Sequence, residues 1–575
     1  MNKLTLASIC ILFLLLVSSC TNNTSVDTSS IPTDSISIVS GKTKFTQNCS
    51  SCHNFNVDGI GPQLGGVTKI IHTEWLREFI KDPKTKIETG DARAKEQFDK
   101  FKLQMPSYNY LSDDDVNDIL AYIHTSKAPD LRKATMDPNA LKNPIPEPIS
   151  MSNLVVALKP VLQIPPSGDN NPITRITKLT YQPNTDKLFL NDLRGKLYFL
   201  NGNKPEVYLD MAKEKSNFIH TPGLATGLGS YAFHPEFAKN GLLYTTHTEP
   251  PASAKADFSY VDSIKVTLQW VVSEWKTKSP EVFPFVGESR ELFRVDMVSQ
   301  IHGVQEVAFN PYAKPGDEDY GLLYIGVGDG GSAENGFPFL CSSTEKIWGT
   351  VLRIDPNGNN SANGKYGIPE HNPLVKNESS NTVREIFARG FRNPHRMIWD
   401  QAGRMFIPNI GHHNVESLYL IEAGSNCGWP IREGTFLIDP SQNMHNIYPL
   451  PADDAKNNIT YPIAQYDHDE GNAIAGGFEY VGKDLPELKG KFVFGDIVKG
   501  RLFYIEMADI KLGTQAPVKE WQISIDGQIT TLAKLCNSEK VDERFGQDRN
   551  GELYLTTKPD GRVYRLVGAD ITKTN

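Results

Sequence analysis

Two thiols and an imidazole stand together at Cys49-Ser50-Ser51-Cys52-His53. Cysteines at this spacing can both bond one porphyrin, and the adjoining histidine then offers an axial nitrogen to its iron. C-x-x-C-H is the attachment pattern of haem c. The same spacing also serves a dithiol redox pair or half of a zinc site, with His53 incidental. The neighbourhood favours haem. Gly59-Ile60-Gly61-Pro62-Gln63-Leu64-Gly65 follows, a Gly/Pro loop whose backbone can lie close to a flat group. Gln104-Met105-Pro106 then offers a thioether as sixth ligand, and His/Met ligation raises the iron potential. Pro106 disfavours helix at Met105, so Met105 is expected on a loop. His72 and His124 are rivals for that position, both in helix-like segments. Cys49 and Cys52 are thus the expected anchors, and His53 and Met105 the expected metal ligands.

A second group of candidate residues lies far downstream. His302, in Ser299-Gln300-Ile301-His302-Gly303-Val304-Gln305, suits a general base near neutral pH, or a structural histidine bonded to backbone. Ile325-Gly326-Val327-Gly328-Asp329-Gly330-Gly331 is a glycine-rich loop with one carboxylate. Arg389-Gly390-Phe391-Arg392-Asn393-Pro394-His395-Arg396 gathers three arginines, which suits a polycarboxylate or phosphate, or a solvated loop. Gly411-His412-His413-Asn414-Val415-Glu416 offers oxygens to calcium. Adjacent residues of a strand point oppositely, which argues against one transition metal shared by the two histidines.

Two kinds of element must position these groups. Ser112 reads as a helix cap, with Asp113, Asp114 and Asp115 in the first turn and Val116, Ile119, Leu120 and Ile123 as the apolar stripe. The order helix, CxxCH, Gly-Pro loop, Met-Pro loop, helix resembles a class I cytochrome c over residues 38–127, which implies a small all-α domain. Residues 128–150 carry five prolines and read as a semi-rigid linker.

From 151 to 568 short β-type runs alternate with Gly, Pro, Asn and Asp, and phrases repeat. Gly195-Lys196-Leu197-Tyr198-Phe199-Leu200 recurs from Gly500 and again from Gly561. Ala232-Phe233-His234-Pro235 with Gly241-Leu242-Leu243-Tyr244 recurs as Ala308-Phe309-Asn310-Pro311 with Gly321-Leu322-Leu323-Tyr324. Weaker copies lie at Tyr181, Ile398 and Gly546. Repeated β-meanders of this length predict an all-β, six-bladed propeller closed by its first and last units.

The phrases AFHPEFAKNGLLY, HGVQEVAFNP, GDGG, RNPHRM and AGSNCGWP, in that order, look like the soluble quinoprotein glucose dehydrogenase and sorbosone dehydrogenase family over residues 170–568. The resemblance implies a six-bladed propeller that binds pyrroloquinoline quinone (PQQ) and calcium and oxidises aldose sugars at C1. By position it implies that His302 is the catalytic base, that Arg392 lies over the quinone carbonyls, and that the carbonyls of Gly411 and His412 hold calcium. Arg544 falls near the arginines for the PQQ carboxylates, and Lys499 near the PQQ lysine. Four positions depart from the pattern. Ile301 replaces the Asp that orients the base, Ala225 a Gln, and His412 a Pro, and one arginine of a pair is missing near 544.

Lys3 followed by the short apolar run Leu4 to Val17 suits an export signal, and Leu16-Val17-Ser18-Ser19-Cys20 resembles a bacterial lipobox. Residues 1–19 are therefore expected to be a lipoprotein signal, Cys20 a lipidated anchor, and residues 20–37 a polar tether. The expected location is the bacterial cell envelope, facing the periplasm or exterior. Cys341, Cys427 and Cys536 leave room for one disulfide at most. The net charge of −9 with no basic run argues against nucleic acid. The expected activity is oxidation of a sugar or related alcohol, with electrons passed to the fused haem c and on to a respiratory acceptor. The alternative is a carbohydrate- or protein-binding propeller beside a redox-active cytochrome.

Overall fold

A computed structural model describes residues 27–50, 53–55, 61–101, 104–128, 137–169, 171–221, 225–341 and 343–571. The expectations for the export signal, for Cys20 and for Cys52 fall outside these residues.

The N-terminal part is helical: α1 (Ser35–Asn48), α2 (Thr73–Lys81), α3 (Pro83–Glu88), α4 (Ala92–Phe101) and α5 (Asp113–His124). Ser112 caps α5 as expected, in a reciprocal capping box with Asp115. Val116, Ile119, Leu120 and Ile123 are buried against Phe45, Leu76 and Ile80. α1 crosses α5 at Gly41, where a Cβ would stand 1.7 Å from the Asp118 carbonyl oxygen, so only glycine allows the contact. The stretch expected as tether differs from its polar composition. Asp34 caps α1, Ile31 is buried in the helical core, and Arg77 Nη2 donates to the Ser30 carbonyl at 3.0 Å. One buried isoleucine and backbone acceptors suffice to lay residues 27–37 onto the domain.

The rest is β-sheet. Three separate four-stranded sheets are built from neighbouring stretches of chain: Leu228–Phe233 to Gly287–Met297, Glu306–Ala308 to Ile386–Arg389, and Ile398–Trp399 to Ala464–Asp467. A longer sheet of 13 strands contains three further meanders: Ile176–Tyr181 to Lys204–Asp210, Ile474–Glu479 to Lys519–Ile525, and Glu543–Gln547 to Arg562–Ile571 with Ser150–Gln163 added outside. Ser150–Gln163 pairs antiparallel with Arg562–Ile571 and parallel with Lys519–Ile525, so the first strand lies between the last two meanders.

The repeated phrases mark equivalent hairpins. Ala232 pairs Tyr244, Ala308 pairs Tyr324, Trp399 pairs Met405 and Gly546 pairs Tyr554, always between the first and second strands of a meander. The Gly195, Gly500 and Gly561 phrases open third strands. Strands such as Leu242–Glu249 are buried along their whole length, which removes the two-residue alternation expected of a half-exposed sheet.

The expected linker also differs. Asp137 N donates to Asn446 Oδ1 at 3.1 Å, Leu141 N to the Ile447 carbonyl at 2.8 Å, and Leu141 and Ile145 pack with Val415, Trp429 and Met444. Residues 137–150 are thus attached to the sheet domain, their prolines alternating with apolar side chains that find a groove. Cys341, Cys427 and Cys536 are buried free thiols, so no disulfide joins them.

Candidate functional site

In the helical domain, Cys49 ends α1, buried, with its N–H on the Phe45 carbonyl at 2.8 Å. His53 Nδ1 donates to the Pro62 carbonyl at 2.7 Å, which puts the ring's lone pair on Nε2. Gly61 lies flat on that ring, where a Cβ would come within 2.5 Å of His53 Cε1. His53, Cys49 and Met105 line one cleft, floored by Phe79, Ile87, Phe98 and Phe101. An apolar slot between an imidazole and a thioether, entered by a buried cysteine, fits a haem. The rival ligands are elsewhere: His72 sits at the start of α2, and His124 Nδ1 bonds Thr68 Oγ1 at 2.9 Å.

In the sheet domain, the candidate residues gather at the end of the meanders opposite the AFHP-type turns. Arg175, His302, Arg392 and Asp542 precede first strands; Asp329, Gly411, Lys499 and Lys558 follow second strands. His302 has φ +51, a left-handed conformation costly for a residue with a Cβ, and such strain is stored where the surroundings enforce it. Its Nδ1 lies 2.8 Å from Asp329 Oδ1. Asp329 is fully buried and also accepts from Gly331 N at 2.8 Å and Trp429 Nε1 at 3.1 Å. Although desolvation pushes its pKa up, the bonds and charge of His302, with Arg392, hold the carboxyl below its ordinary value. An ionised Asp329 makes His302 Nδ1 the donor and leaves Nε2 as a base. This partner was missed from sequence: Ile301 stands where an orienting Asp was sought, whereas the carboxylate comes from the neighbouring strand end, in the GDGG loop.

Arg392 lies over the Trp429 ring at 5.8 Å, 3.7 Å from Glu334 Oε2, with its Nε lacking a partner. Its Nη1 donates at 2.5 Å to the carbonyl of Gly411. The carbonyl expected to hold calcium thus faces a guanidinium here. His412 is held through its N–H on Glu433 Oε1 at 2.9 Å, and its ring is kept neutral by burial and by Arg392.

Arg544 is buried, its Nε without a partner, near Asp542. Around the same Asp542 stand Lys558 at 3.3 Å and Lys540 at 4.0 Å, with Arg175 close enough for its charge to be felt. Asp192 beside Arg175, and Glu543 and Asp496 beside Arg544, add further carboxylates to this cluster. Lys558 and Arg175 were not foreseen, being single basic residues outside any phrase. Desolvation pushes the Lys558 amine down to about 7. Lys499 differs from expectation: its Nζ donates to the Asp469 carbonyl at 2.9 Å, and its backbone N–H to Asp496. It caps a loop and does not join the cations at Asp542. His395 and Asn393, both buried, add side-chain atoms without partners near these cations. Buried guanidinium, amide and imidazole atoms without partners fit an anionic cofactor such as PQQ, with Arg392, Arg544, Lys558 and Arg175 as the groups that would hold it.

Comparison with known proteins places the chain in a family. The family model described as Glucose / Sorbosone dehydrogenase matches residues 176–565. The chain belongs to the glucose/sorbosone dehydrogenase family. A cytochrome c model matches residues 38–127, so this member of the family carries a cytochrome c domain ahead of its sheet domain. Among curated relatives, HIPL2 protein of Arabidopsis thaliana is 26% identical over 388 residues, covering 59% of this chain and 53% of the relative. The Hedgehog-interacting protein of Homo sapiens is 26% identical over 404 residues, covering 67% and 49%. Quinoprotein glucose dehydrogenase B of Acinetobacter calcoaceticus is 22% identical over 219 residues, covering 36% and 40%. The chain spans about half the length of the first two. Among solved structures, a PQQ-bound aldose sugar dehydrogenase from Streptomyces coelicolor aligns with a TM-score of 0.47 at 19% identity, covering 72% of this chain and 98% of that one.

Proposed function

We propose that the protein is a quinohaemoprotein dehydrogenase that oxidises an aldose sugar or related alcohol in the sheet domain and passes the electrons to its own cytochrome. The observation that carries this is the strained, carboxylate-oriented His302 beside a buried cluster of cations. The meanders are read as six blades, three separate and three within the long sheet, around a channel whose mouth holds these groups. PQQ, when bound, supplies the two-electron acceptor, and haem c a one-electron carrier. His302 Nε2 takes the substrate hydroxyl proton, and the charge it gains is stabilised by Asp329. Arg392 would supply positive charge beside the bound acceptor. Arg544, Lys558 and Arg175 would hold the cofactor's carboxylates. The lipobox-like Leu16–Cys20 supports attachment to an envelope membrane, with a respiratory acceptor beyond.

The test is the visible haem spectrum of the matured protein, reconstituted with PQQ and with or without calcium, on mixing with a panel of aldoses. Haem reduction that requires both PQQ and a sugar supports the proposal. A second reading is favoured by one observation, the match to proteins named for interaction with Hedgehog: a propeller that binds a partner, fused to a redox-active cytochrome. A haem that never responds to sugar, in a protein that binds no PQQ, would leave that reading.

A further inference from the structure

We propose that the cytochrome module is a docked electron acceptor, its haem-cleft edge seated through Ser50 and Lys100 on the loops that carry His302 and His412. This rests on the proposed function for its purpose and on separate observations for its geometry.

Gln300 Nε2 donates to Ser50 Oγ at 3.2 Å. Ser50 follows Cys49, which lines the haem cleft, and Gln300 stands two residues before His302. Lys100 lies near enough to His413 for its charge to act on that imidazole. Lys100 precedes Phe101, which lines the same cleft, and His413 follows His412. Both approaches join the rim of the cleft to the candidate site.

The chain itself supplies the third observation. Asp137 is fixed at Asn446 and by the Tyr448 hydroxyl, which donates to Asp137 Oδ2 at 2.9 Å. This anchor adjoins His445, whose ring centroid is 3.9 Å from that of His413. From residue 128 to 137 the chain can reach at most about 30 Å. The module is therefore held beside the face it touches. The energetics need that help. One neutral hydrogen bond, and a lysine beside an imidazole that burial keeps neutral, are too little to hold two separate proteins. A short connection raises the effective concentration to about the millimolar range, where weak polar contacts persist.

Electron counting then sets the order of events. Oxidation of a hydroxyl to a carbonyl releases two electrons and two protons. The module carries one electron at a time, ferric iron becoming ferrous. An external one-electron acceptor must take the first before the second can leave, and it must dock on a part of the cytochrome other than the Ser50–Lys100 rim.

The experiment uses the haem-loaded full chain with labelled isoleucine methyl groups, the Ile301 signal assigned by Ile301→Val. Docking predicts that the Ile301 methyl shifts between ferric and ferrous haem. It also predicts that the double variant Lys100→Glu, Gln300→Ala abolishes the shift. No oxidation-dependent shift, or one that the double variant retains, overturns docking. This readout needs no sugar turnover, so it stands apart from failure of the proposed activity. In a sugar-oxidising preparation, the double variant should slow haem reduction at least tenfold and leave reduction of a small soluble dye unchanged. Haem reduction as fast as in the wild type would also overturn the proposal.

Discussion

His302 Nδ1 and Asp329 Oδ1 are 2.8 Å apart although 27 residues separate them in the chain. One precedes the first strand and the other follows the second strand of the same meander. The buried carboxylate is further tied by Trp429 and Gly331. The imidazole is thereby fixed in one tautomer, and the loss of an acidic neighbour at Ile301 is made good from across the hairpin.

Asp329→Asn should keep this shape and lose the charge. The expected result is a fall in kcat of about 10²–10⁴-fold with little change in KM, by analogy with carboxylate loss in other histidine-based sites. PQQ binding and the haem spectrum should be unaltered. A loss below about threefold would assign Asp329 to structure alone.

Lys558 makes anion binding dependent on protons. Desolvation lowers its folded value to about 7, against an ordinary 10.5. Between those values the unfolded chain binds the proton more tightly, so this group makes stability rise with pH from about 7 to 10.5. A bound polycarboxylate favours the charged amine and reverses the shift. At pH 8, PQQ binding should take up close to one proton, measured by calorimetry in buffers of different ionisation enthalpy. Lys558→Met should abolish the uptake and weaken binding at least tenfold.

Gly61→Ala should disturb the iron. The new methyl would press on His53 Cε1 while the Pro62 carbonyl holds the ring's other side. The expected outcome is a haem spectrum with weakened axial ligation and a shifted reduction potential. Gly403→Ala, at a position open to solvent but with φ +79, should leave the spectrum unchanged while costing about 1 kcal/mol of stability.

Gly41→Ala should separate α1 from α5. A Cβ 1.7 Å from the Asp118 oxygen forces the helices apart, at a cost of about 1–3 kcal/mol. Calorimetry of the full chain should show a lower transition for the cytochrome and an unchanged one for the sheet domain.

Much of this was legible in the residues. The α5 cap and stripe follow local rules, and the repeated phrases fall on equivalent hairpins because each meander poses the same packing problem. The site was legible only where chemistry and phrase coincide, as at His302, Arg392 and Arg544. Asp329 was visible as a carboxylate, but its partner is set by strand pairing, which a linear pattern does not carry. Lys558 and Arg175 are isolated cations whose meaning comes from sharing Asp542. Lys499 lies near the expected place in the chain, yet its amine turns to the Asp469 carbonyl. Residues 27–37 and 137–150 look like connecting chain by composition, and a few apolar side chains dock them.

The strand Ser150–Gln163 has a consequence for how the protein is made. It emerges early in synthesis, but its hydrogen-bonding neighbours begin only at Lys519 and Arg562. The long sheet must therefore stay incomplete until nearly the whole chain has been delivered, and such distant pairing is slow. The cytochrome faces no such delay, since its described helices end by His124. Haem can be fastened while the sheet domain is still unfinished. A sheet domain started after Gln163 would carry two bare strand edges, an invitation to aggregate. The two halves of this protein are thus inherited as one piece, stitched at a seam that belongs to the first half's end of the chain.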